Sequence, residues 1–254
     1  MVELQIASDL HIEYKNDDIP DPLDYITPNA DILILAGDIG SLYKINQLEG
    51  FLIKICQYFK YVIYVPGNQE YYTFNDHNNH PVGMNILTDR LYKIEQNIQN
   101  LFILNKSSIM IEDVCITGCT LWSDLKISIP KFIVRIHGIS NEIYTQKFNS
   151  DLNYINKMID HCDKNNYKLV VVTHYCPSYT VTNNCKKKDK YISLYTSNLD
   201  YLLDTNKIHT WICGHIHTNF DYKHNEVCTR IVGNQKGKPK DKITDYLKNF
   251  VIQI

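Results

Sequence analysis

Seven Asp, Asn and His residues follow apolar segments of this 254-residue sequence, each close to the point where a segment ends. In chain order they are Asp9, His11, Asp38, Asn68, His174, His215 and His217. Carboxylate, amide and imidazole groups bind divalent metal ions, and this set contains no cysteine. Such oxygen and nitrogen donors suit Mn, Fe, Zn, Ni or Co better than a closed structural zinc site. One such residue alone would more often be a cap or an ordinary loop residue, but seven at segment ends indicate a metal site.

The spacing of these residues predicts how their side chains are arranged. Asp9 and His11 are separated by one residue, as are His215 and His217. In extended backbone, residues two apart point to the same face, so we expect each pair to face one way. A glycine directly precedes three of the seven residues, at positions 37, 67 and 214. These glycines predict sharp turns and a close approach of the backbone to bound ions or phosphate.

Short apolar runs alternate with segments of helical periodicity along the chain. Runs bounded by turn residues predict strands at 2–7, 32–36, 61–65, 101–104, 114–118, 169–173, 208–213, 227–232 and 246–252. Apolar residues three and four apart predict helices within 84–98 and 148–162, and a third helix is predicted after Ser41, its N-cap. This alternation indicates an α/β fold, in which ligands bind at the carboxyl ends of strands. We therefore expect the seven residues to meet at one rim.

The chain is predicted to form a single domain over residues 1–254. No internal repeat, low-complexity linker or change of composition divides it, and its length allows a sizeable core. Residues 122–145 have weaker periodicity than their surroundings. We expect this segment to cover one end of the sheets as a lid.

Composition excludes several classes of protein. The formal net charge of −2 argues against a generally basic protein that coats nucleic acid, and a nucleic-acid partner has no support in the sequence. No apolar run approaches the about 18–20 residues that span a bilayer. The eight cysteines include no CxxC pair, and several lie in apolar runs, which indicates reduced thiols. We expect a cytoplasmic protein that does not associate with membranes.

The order of five short motifs identifies a family resemblance. The motifs are Asp-x-His, Gly-Asp, Gly-Asn-x-Glu, His and Gly-His-x-His, and they begin at residues 9, 37, 67, 174 and 214. In this order they closely resemble the calcineurin-like metallophosphoesterases, over residues 4 to about 237. The segments 120–124 and 219–222 also resemble a small prokaryotic and viral subgroup. The resemblance implies a four-layer αββα sandwich of two mixed β-sheets flanked by helices, with a metal site at the carboxyl rim of the strands.

The same resemblance implies a role for each of the seven residues. Two divalent ions are expected as cofactors, with Mn first and Fe, Zn, Ni, Co or Mg as alternatives. The first ion is expected at Asp9, His11 and His217, and the second at Asn68, His174 and His215, with Asp38 bridging the two. Such a centre activates a bridging hydroxide for in-line attack on phosphorus. The resemblance also places Asn68 at the substrate.

One residue departs from the family pattern. Gln69 stands where the family has His, within Gly-Asn-His-Glu, and that His is credited with protonating the leaving group or binding the phosphate. A glutamine amide donates hydrogen bonds but cannot act as a general acid near neutral pH. Three explanations remain: a leaving group of low pKa, another proton donor, or weak activity. His77 and His80 are candidate donors, although a surface loop is the commoner role for such residues.

The sequence predicts a phosphoester hydrolase acting on a small-molecule or nucleotide phosphoester, with Asp38, Asn68 and Gln69 as its catalytic residues. Arg135, in the expected lid, is a candidate phosphate contact, and a surface ion pair is the alternative. The segment after Gly37 lacks the Val-Asp-Arg-Gly of the protein Ser/Thr phosphatases, which disfavours that subgroup. A scaffold without activity and a weakly active metal-binding regulatory protein are the rival hypotheses. The oligomeric state is not predicted.

Overall fold

The computed structural model describes residues 1–73, 80–182, 190–223 and 229–254. Within these residues the strands are β1 (Glu3–Ala7), β2 (Ile32–Leu35), β3 (Tyr61–Tyr64), β4 (Leu101–Ile103), β5 (Ser107–Ile111), β6 (Val114–Cys119), β7 (Lys168–Thr173), β8 (Thr210–Ile212), β9 (Phe220–Lys223), β10 (Arg230–Gly233) and β11 (Val251–Gln253). The α-helices are α1 (Ile45–Cys56), α2 (Met84–Asn97), α3 (Asn141–Asn165) and α4 (Asp200–Leu203).

The strands form two mixed sheets. In the five-stranded sheet the order is β11-β1-β2-β3-β4, and only β11 is antiparallel to its neighbour. In the six-stranded sheet the order is β5-β6-β7-β8-β10-β9, with antiparallel strands at both edges and parallel strands between them. Each sheet therefore has a parallel centre whose strand ends can share one rim.

Alternation along the central strands places one set of side chains between the sheets and the other under the helices. In β2, Ile32 and Ile34 belong to the buried layer between the sheets, whereas Leu33 and Leu35 pack in the cluster that includes the helices. The second cluster contains apolar residues of α1, α2 and α3, and α3 contacts β6 and β7. Strands buried on both faces explain the continuous apolar runs of the sequence. The expected α/β sandwich of two mixed sheets flanked by helices is confirmed.

Helix boundaries follow local capping. The Ser41 side chain accepts a hydrogen bond from the backbone N–H of Tyr43, and this caps a 3-10 turn that leads directly into α1. Ser140 caps α3 by accepting a hydrogen bond from the N–H of Ile143. Because α3 begins at Asn141, the last residues of the expected lid segment, 141–145, are helical. The lid role of the rest of that segment stays a prediction.

Two strands were not predicted, and both lie at sheet edges. β5 and β9 are largely exposed along their length, so they lack the apolar runs that mark the central strands. The last predicted strand, 246–252, is shorter than expected, because only Val251–Gln253 pairs with β1. Six cysteines of the described ranges are free and buried, as expected for reduced thiols. No helix among the described residues has the length and apolar character needed to cross a bilayer.

Candidate metal centre

The seven predicted ligands meet at one rim, where the parallel strands of both sheets end. Five of them have left-handed backbone conformations, with positive φ angles between 49° and 70° at Asp9, His11, Asp38, His215 and His217. Non-glycine residues adopt this conformation rarely, although Asp and His tolerate it better than most. The extended backbone expected for the two pairs is therefore wrong. Sharp left-handed turns, rather than alternation along a strand, direct these side chains to the rim.

The first group of donors contains Asp9, His11 and His217. Nε2 of His217 lies 3.2 Å from Oδ1 of Asp9 and 3.2 Å from Nε2 of His11. One donor atom from each of the three residues lies within 4.8 Å of the others, which is the geometry of a metal-ligand cluster. Asp9 is fully buried, and its carboxylate accepts hydrogen bonds from the Ser8 hydroxyl and the His215 backbone N–H.

The second group contains Asp38, His174 and His215, with Asn68 beside them. Nε2 of His174 lies 3.2 Å from Oδ1 of Asp38, 3.1 Å from Nδ1 of His215 and 3.0 Å from Oδ1 of Asn68. One donor atom from each of Asp38, His174 and His215 likewise lies within 4.8 Å of the others. The pair His215 and His217, expected to face one way, is thus divided between the two groups.

Asp38 lies between the two groups. Its Oδ1 is 3.2 Å from Nε2 of His174, and its Oδ2 is 3.9 Å from Nε2 of His11 in the first group. The backbone N–H of Gln69 donates to Oδ1 over 2.8 Å and fixes the orientation of the carboxylate. One carboxylate therefore presents one oxygen to each group.

The hydrogen bonds on the far side of the first group set the protonation of its histidines. Nδ1 of His11 lies 2.9 Å from Oε1 of Glu13, and Nδ1 of His217 lies 2.5 Å from Oδ2 of Asp241. A carboxylate only accepts, so each Nδ1 carries a proton, and the neutral form of each ring turns the lone pair of Nε2 to the group. Two lone pairs 3.2 Å apart repel each other unless positive charge lies between them. A cation fits this arrangement.

The second group repeats the pattern with backbone acceptors. Nδ1 of His174 donates to the carbonyl oxygen of Ala36 over 2.9 Å, and Nε2 of His215 donates to that of Leu194 over 3.1 Å. The remaining nitrogen of each ring then faces the group as an acceptor. In the neutral rings, the lone pairs of His174 and His215 converge with the Asp38 carboxylate and the Asn68 amide oxygen, so these residues fit divalent ions of the oxygen- and nitrogen-binding type.

The pKa values of the predicted ligands also indicate that positive charge is favoured in the two groups. Burial alone would lower the pKa of His174, but the charge and the hydrogen bond of Asp38 outweigh it and raise that pKa to about 9. Burial likewise opposes ionisation of Asp9, yet the hydrogen bond and charge of His217 bring its pKa down to about 2. Burial and the neighbouring charge of His174 lower the pKa of His215 to about 3. The buried carboxylates thus create a negative potential that favours positive charge, either a proton or a cation, among these residues.

Glu70 holds together the turns that carry Asp38 and Asn68, a role the sequence analysis did not assign. Its buried carboxylate accepts hydrogen bonds from the backbone N–H groups of Asp38, Ile39 and Gly67, and from the Tyr64 hydroxyl over 2.6 Å. These bonds join the turn after β2 to the turn after β3. The motif Gly-Asn-x-Glu contained this residue, but only the fold reveals what it holds. Glu13 and Asp241 were missed as well, and Asp241 carries no sequence signal because it is remote from the motifs.

The three glycines make room for the side chains of the predicted ligands, whereas a close approach of their backbone to ions or phosphate stays a prediction. A Cβ on Gly67 would lie 2.3 Å from Oδ1 of Asp38, and one on Gly214 would lie 2.6 Å from Oδ2 of Asp9. A Cβ on Gly37, whose φ is +86°, would lie 2.4 Å from Nδ1 of His174. Any side chain at these positions would displace a predicted metal ligand.

A cavity of about 410 Å³ opens above the two groups. Gln69 and Arg135 both line it, next to Asp38 and Asn68, so the predicted catalytic and substrate-binding residues share one space. Arg135 forms no ion pair with a carboxylate of the described residues, which leaves its guanidinium available to an anion. His80 is exposed and does not line this cavity, whereas His77 lies outside the described residues.

The lining also contains residues that the sequence analysis passed over. Lys238 and Lys240 belong to a short segment of alternating lysines, and both line this cavity. Phe132, from the expected lid segment, lies at the same cavity with 74% of its surface exposed. The two lysines thus place positive charge, and Phe132 an apolar ring, beside the donor groups.

Comparison with known proteins decides the family. A sequence model of the calcineurin-like phosphoesterases matches residues 5–219. The chain belongs to this family. A viral relative, the uncharacterized protein L509 of Acanthamoeba polyphaga mimivirus, is 27% identical over 264 residues, which is 92% of this chain and 90% of the relative.

Solved structures of the family share the fold. The crystal structure of phosphopantetheinyl hydrolase from Mycobacterium tuberculosis superposes with a TM-score of 0.71 at 15% identity, over 96% of this chain and 93% of that one. A dimetal phosphatase from Danio rerio superposes with a TM-score of 0.56 at 10% identity, over 91% of this chain and 86% of that one. Family and donor groups together support a metal-dependent phosphoesterase as the general class of this calcineurin-like protein.

Proposed function

We propose that this calcineurin-like phosphoesterase hydrolyses phosphoesters at a binuclear metal centre. Asp9, His11 and His217 would hold one ion, Asn68, His174 and His215 would hold the other, and Asp38 would serve both. The observation that carries the proposal is the position of the Asp38 carboxylate, with one oxygen directed to each donor group. Two divalent ions would supply Lewis acidity for the phosphoryl oxygens and a nucleophilic water near neutral pH.

The side chains around the cavity would hold the ions and orient the reacting phosphate. The four histidines are held as metal-binding tautomers by acceptors on their far sides, so the site needs no rearrangement to bind cations. The Asn68 side chain and the Arg135 guanidinium face the cavity in which the phosphoryl group lies, and they orient and stabilise its charge. Manganese is our first choice of metal, because the carboxylate and amide oxygens suit it, and Fe, Zn and Ni are alternatives that the four imidazoles suit.

Gln69 defines the kind of ester that this centre cleaves. It is half-buried at the cavity, where a donor to the leaving oxygen would stand, and its amide supplies a hydrogen bond but no proton. General acid catalysis is worth about 10²–10⁴-fold in rate. The proposed enzyme therefore favours leaving groups that depart without protonation, such as acidic phenols and phosphoanhydrides.

The test combines metal content with turnover. The purified protein, loaded with Mn, is expected to hold two ions per chain. It is expected to hydrolyse p-nitrophenyl phosphate or its diester. The panel of substrates also includes a phosphopantetheinyl ester, because the chain shares its fold with a phosphopantetheinyl hydrolase. Asp38→Asn should lower both metal content and rate. Asp113→Asn, an exposed carboxylate paired with Lys168, is the matched control and should change neither.

Three outcomes would redirect the assignment. An Asp38→Asn protein with unchanged metal content and rate would remove Asp38 from the centre. Two bound ions with no hydrolysis across the panel would favour the weakly active regulatory protein, to which the Gln69 substitution gives some support. Absence of bound metal would favour a scaffold without activity.

A further inference from the structure

Three cationic side chains line the cavity above the donor groups, and the reacting phosphate does not need all of them. They are Arg135, Lys238 and Lys240. Within the described part of the chain, none of the three forms an ion pair with a carboxylate. Unpaired positive charge around a cavity attracts an anionic ligand. Arg135 already offers one cationic contact to a phosphoryl group at the centre, so the two lysines point to a further anion.

Lys238 and Lys240 are fixed beside the first donor group. The same oxygen of Asp241, Oδ2, lies 2.5 Å from Nδ1 of His217 and accepts a hydrogen bond of 2.8 Å from the backbone N–H of Lys238. The 3-10 turn Pro239–Asp241, which contains Lys240, is thereby attached to a metal-binding histidine. The backbone that carries the two lysines is therefore held next to the first donor group.

Arg135 belongs to the other side of the cavity. Its carbonyl oxygen accepts hydrogen bonds from the N–H and the hydroxyl of Thr73, and its guanidinium lies 5.9 Å from the ring centre of Tyr72. Thr73 and Tyr72 follow Asn68 and Gln69 closely in the chain, so Arg135 is placed next to the second donor group. The cavity is therefore lined by cationic side chains from two separate segments of the chain.

We propose that Lys238 and Lys240 form a subsite for a second, non-reacting phosphate, so that the substrate is a small molecule with two phosphates. This inference rests on the proposed function of the same cavity. A volume of about 410 Å³ lies in the range of small-molecule sites, and the net charge of −2 gives no general attraction for nucleic acid. A phosphoryl group at the metal centre and a neighbouring phosphate at the lysines would account for the cationic side chains of both segments.

The test compares ligands that differ by one phosphate. AMP and ADP compete against p-nitrophenyl phosphate hydrolysis with Mn in excess, so that chelation does not change the free metal concentration. We expect ADP to bind about tenfold more tightly than AMP, since a charge-assisted hydrogen bond has roughly this effect. The double variant Lys238→Ala, Lys240→Ala should abolish the difference and leave AMP binding within about twofold of the unmodified protein, an expectation that follows from the same loss of contacts.

Matched controls separate this subsite from general electrostatics. Lys242→Ala removes the same charge from the same segment at an exposed residue outside the cavity lining, and should preserve the preference for ADP. Lys238→Arg should preserve it as well. Equal affinity for AMP and ADP in the unmodified protein, or an equal loss for both ligands in the double variant, would overturn the subsite.

Equilibrium dialysis with radiolabelled ADP and AMP repeats the comparison without turnover. A protein that fails to hydrolyse p-nitrophenyl phosphate but keeps a lysine-dependent preference for ADP would contradict the proposed function and support the subsite. A protein that hydrolyses p-nitrophenyl phosphate without that preference would support the proposed function and contradict the subsite.

Discussion

Gly67→Ala probes the closest approach between backbone and ligand in the candidate centre. The Cβ of the alanine would lie 2.3 Å from Oδ1 of Asp38, 2.6 Å from the backbone nitrogen of Asp38 and 2.9 Å from Cδ2 of His174. Gly67 does not have a positive φ, so alanine is not strained by backbone conformation. The substitution therefore isolates the effect of crowding on the carboxylate that we place between the two ions.

The distances set the size of the effect. An ordinary contact needs at least 3.4 Å, so Oδ1 of Asp38 must move by about 1 Å or the turn after β3 must shift as a whole. Displacements of that size at a reacting group can lower the rate by about 100-fold. Overpacking costs about 1–3 kcal/mol of stability, which corresponds to roughly 2–12 °C in Tm for a chain of this length.

The assay measures metal content, p-nitrophenyl phosphate hydrolysis and Tm of one preparation. We expect fewer than two ions per chain and a rate about 100-fold lower, from the displacement argued above. Gly83→Ala is the matched control, because its Cβ meets only the flexible side chain of Asn85. A Gly67→Ala protein with full metal content and an unchanged rate would refute the placement of Asp38 beside Gly67.

Three further predictions address the leaving group, the support of the histidines and the thiols. Gln69→His should raise turnover for esters of simple alcohols and change nitrophenyl esters little, seen as a shallower plot of log rate against leaving-group pKa; equal slopes would exclude an acid role at this position. Asp241→Asn should weaken binding of one of two metal ions by about 10–100-fold in competition with a chelator, whereas Asp245→Asn should leave it unchanged; equal affinities would remove Asp241 as a support. Burial raises the pKa of Cys56 and Cys162 to about 12, so at pH 8 both stay protonated and should resist iodoacetamide in the folded protein, and peptide mass analysis showing rapid alkylation would contradict this.

The sequence predicted the central strands and the meeting of the seven residues because both depend on local signals. Strands such as β2 and β7 are buried on two faces, which makes them continuous apolar runs followed directly by polar residues. The edge strands β5 and β9 carry no such signal, since most of their side chains face solvent. A prediction from apolar runs therefore finds the middle of each sheet and misses its edges.

The support of the centre could not be predicted, because it comes from residues distant in the chain. Asp241 is 24 residues from His217 and belongs to no motif, yet its carboxylate holds the ring of that histidine. The carbonyl oxygens of Ala36 and Leu194 act through the backbone, so their residue types carry no information about this role. Chain folding alone brings these acceptors to the histidines.

The extended-backbone argument was wrong about how the two pairs are arranged, and the left-handed turns found instead explain the residue types at the rim. A turn immediately after a buried strand must reverse the chain without disturbing the sheet, and the left-handed conformation does so in one residue. Such positions cost about 1–3 kcal/mol for most residues, but less for Asp and His, which are also good metal ligands. The demands of the turn and of the metal thus select the same two side chains. Glu70 and the glycines then hold neighbouring turns close enough for Asp38 to face both donor groups.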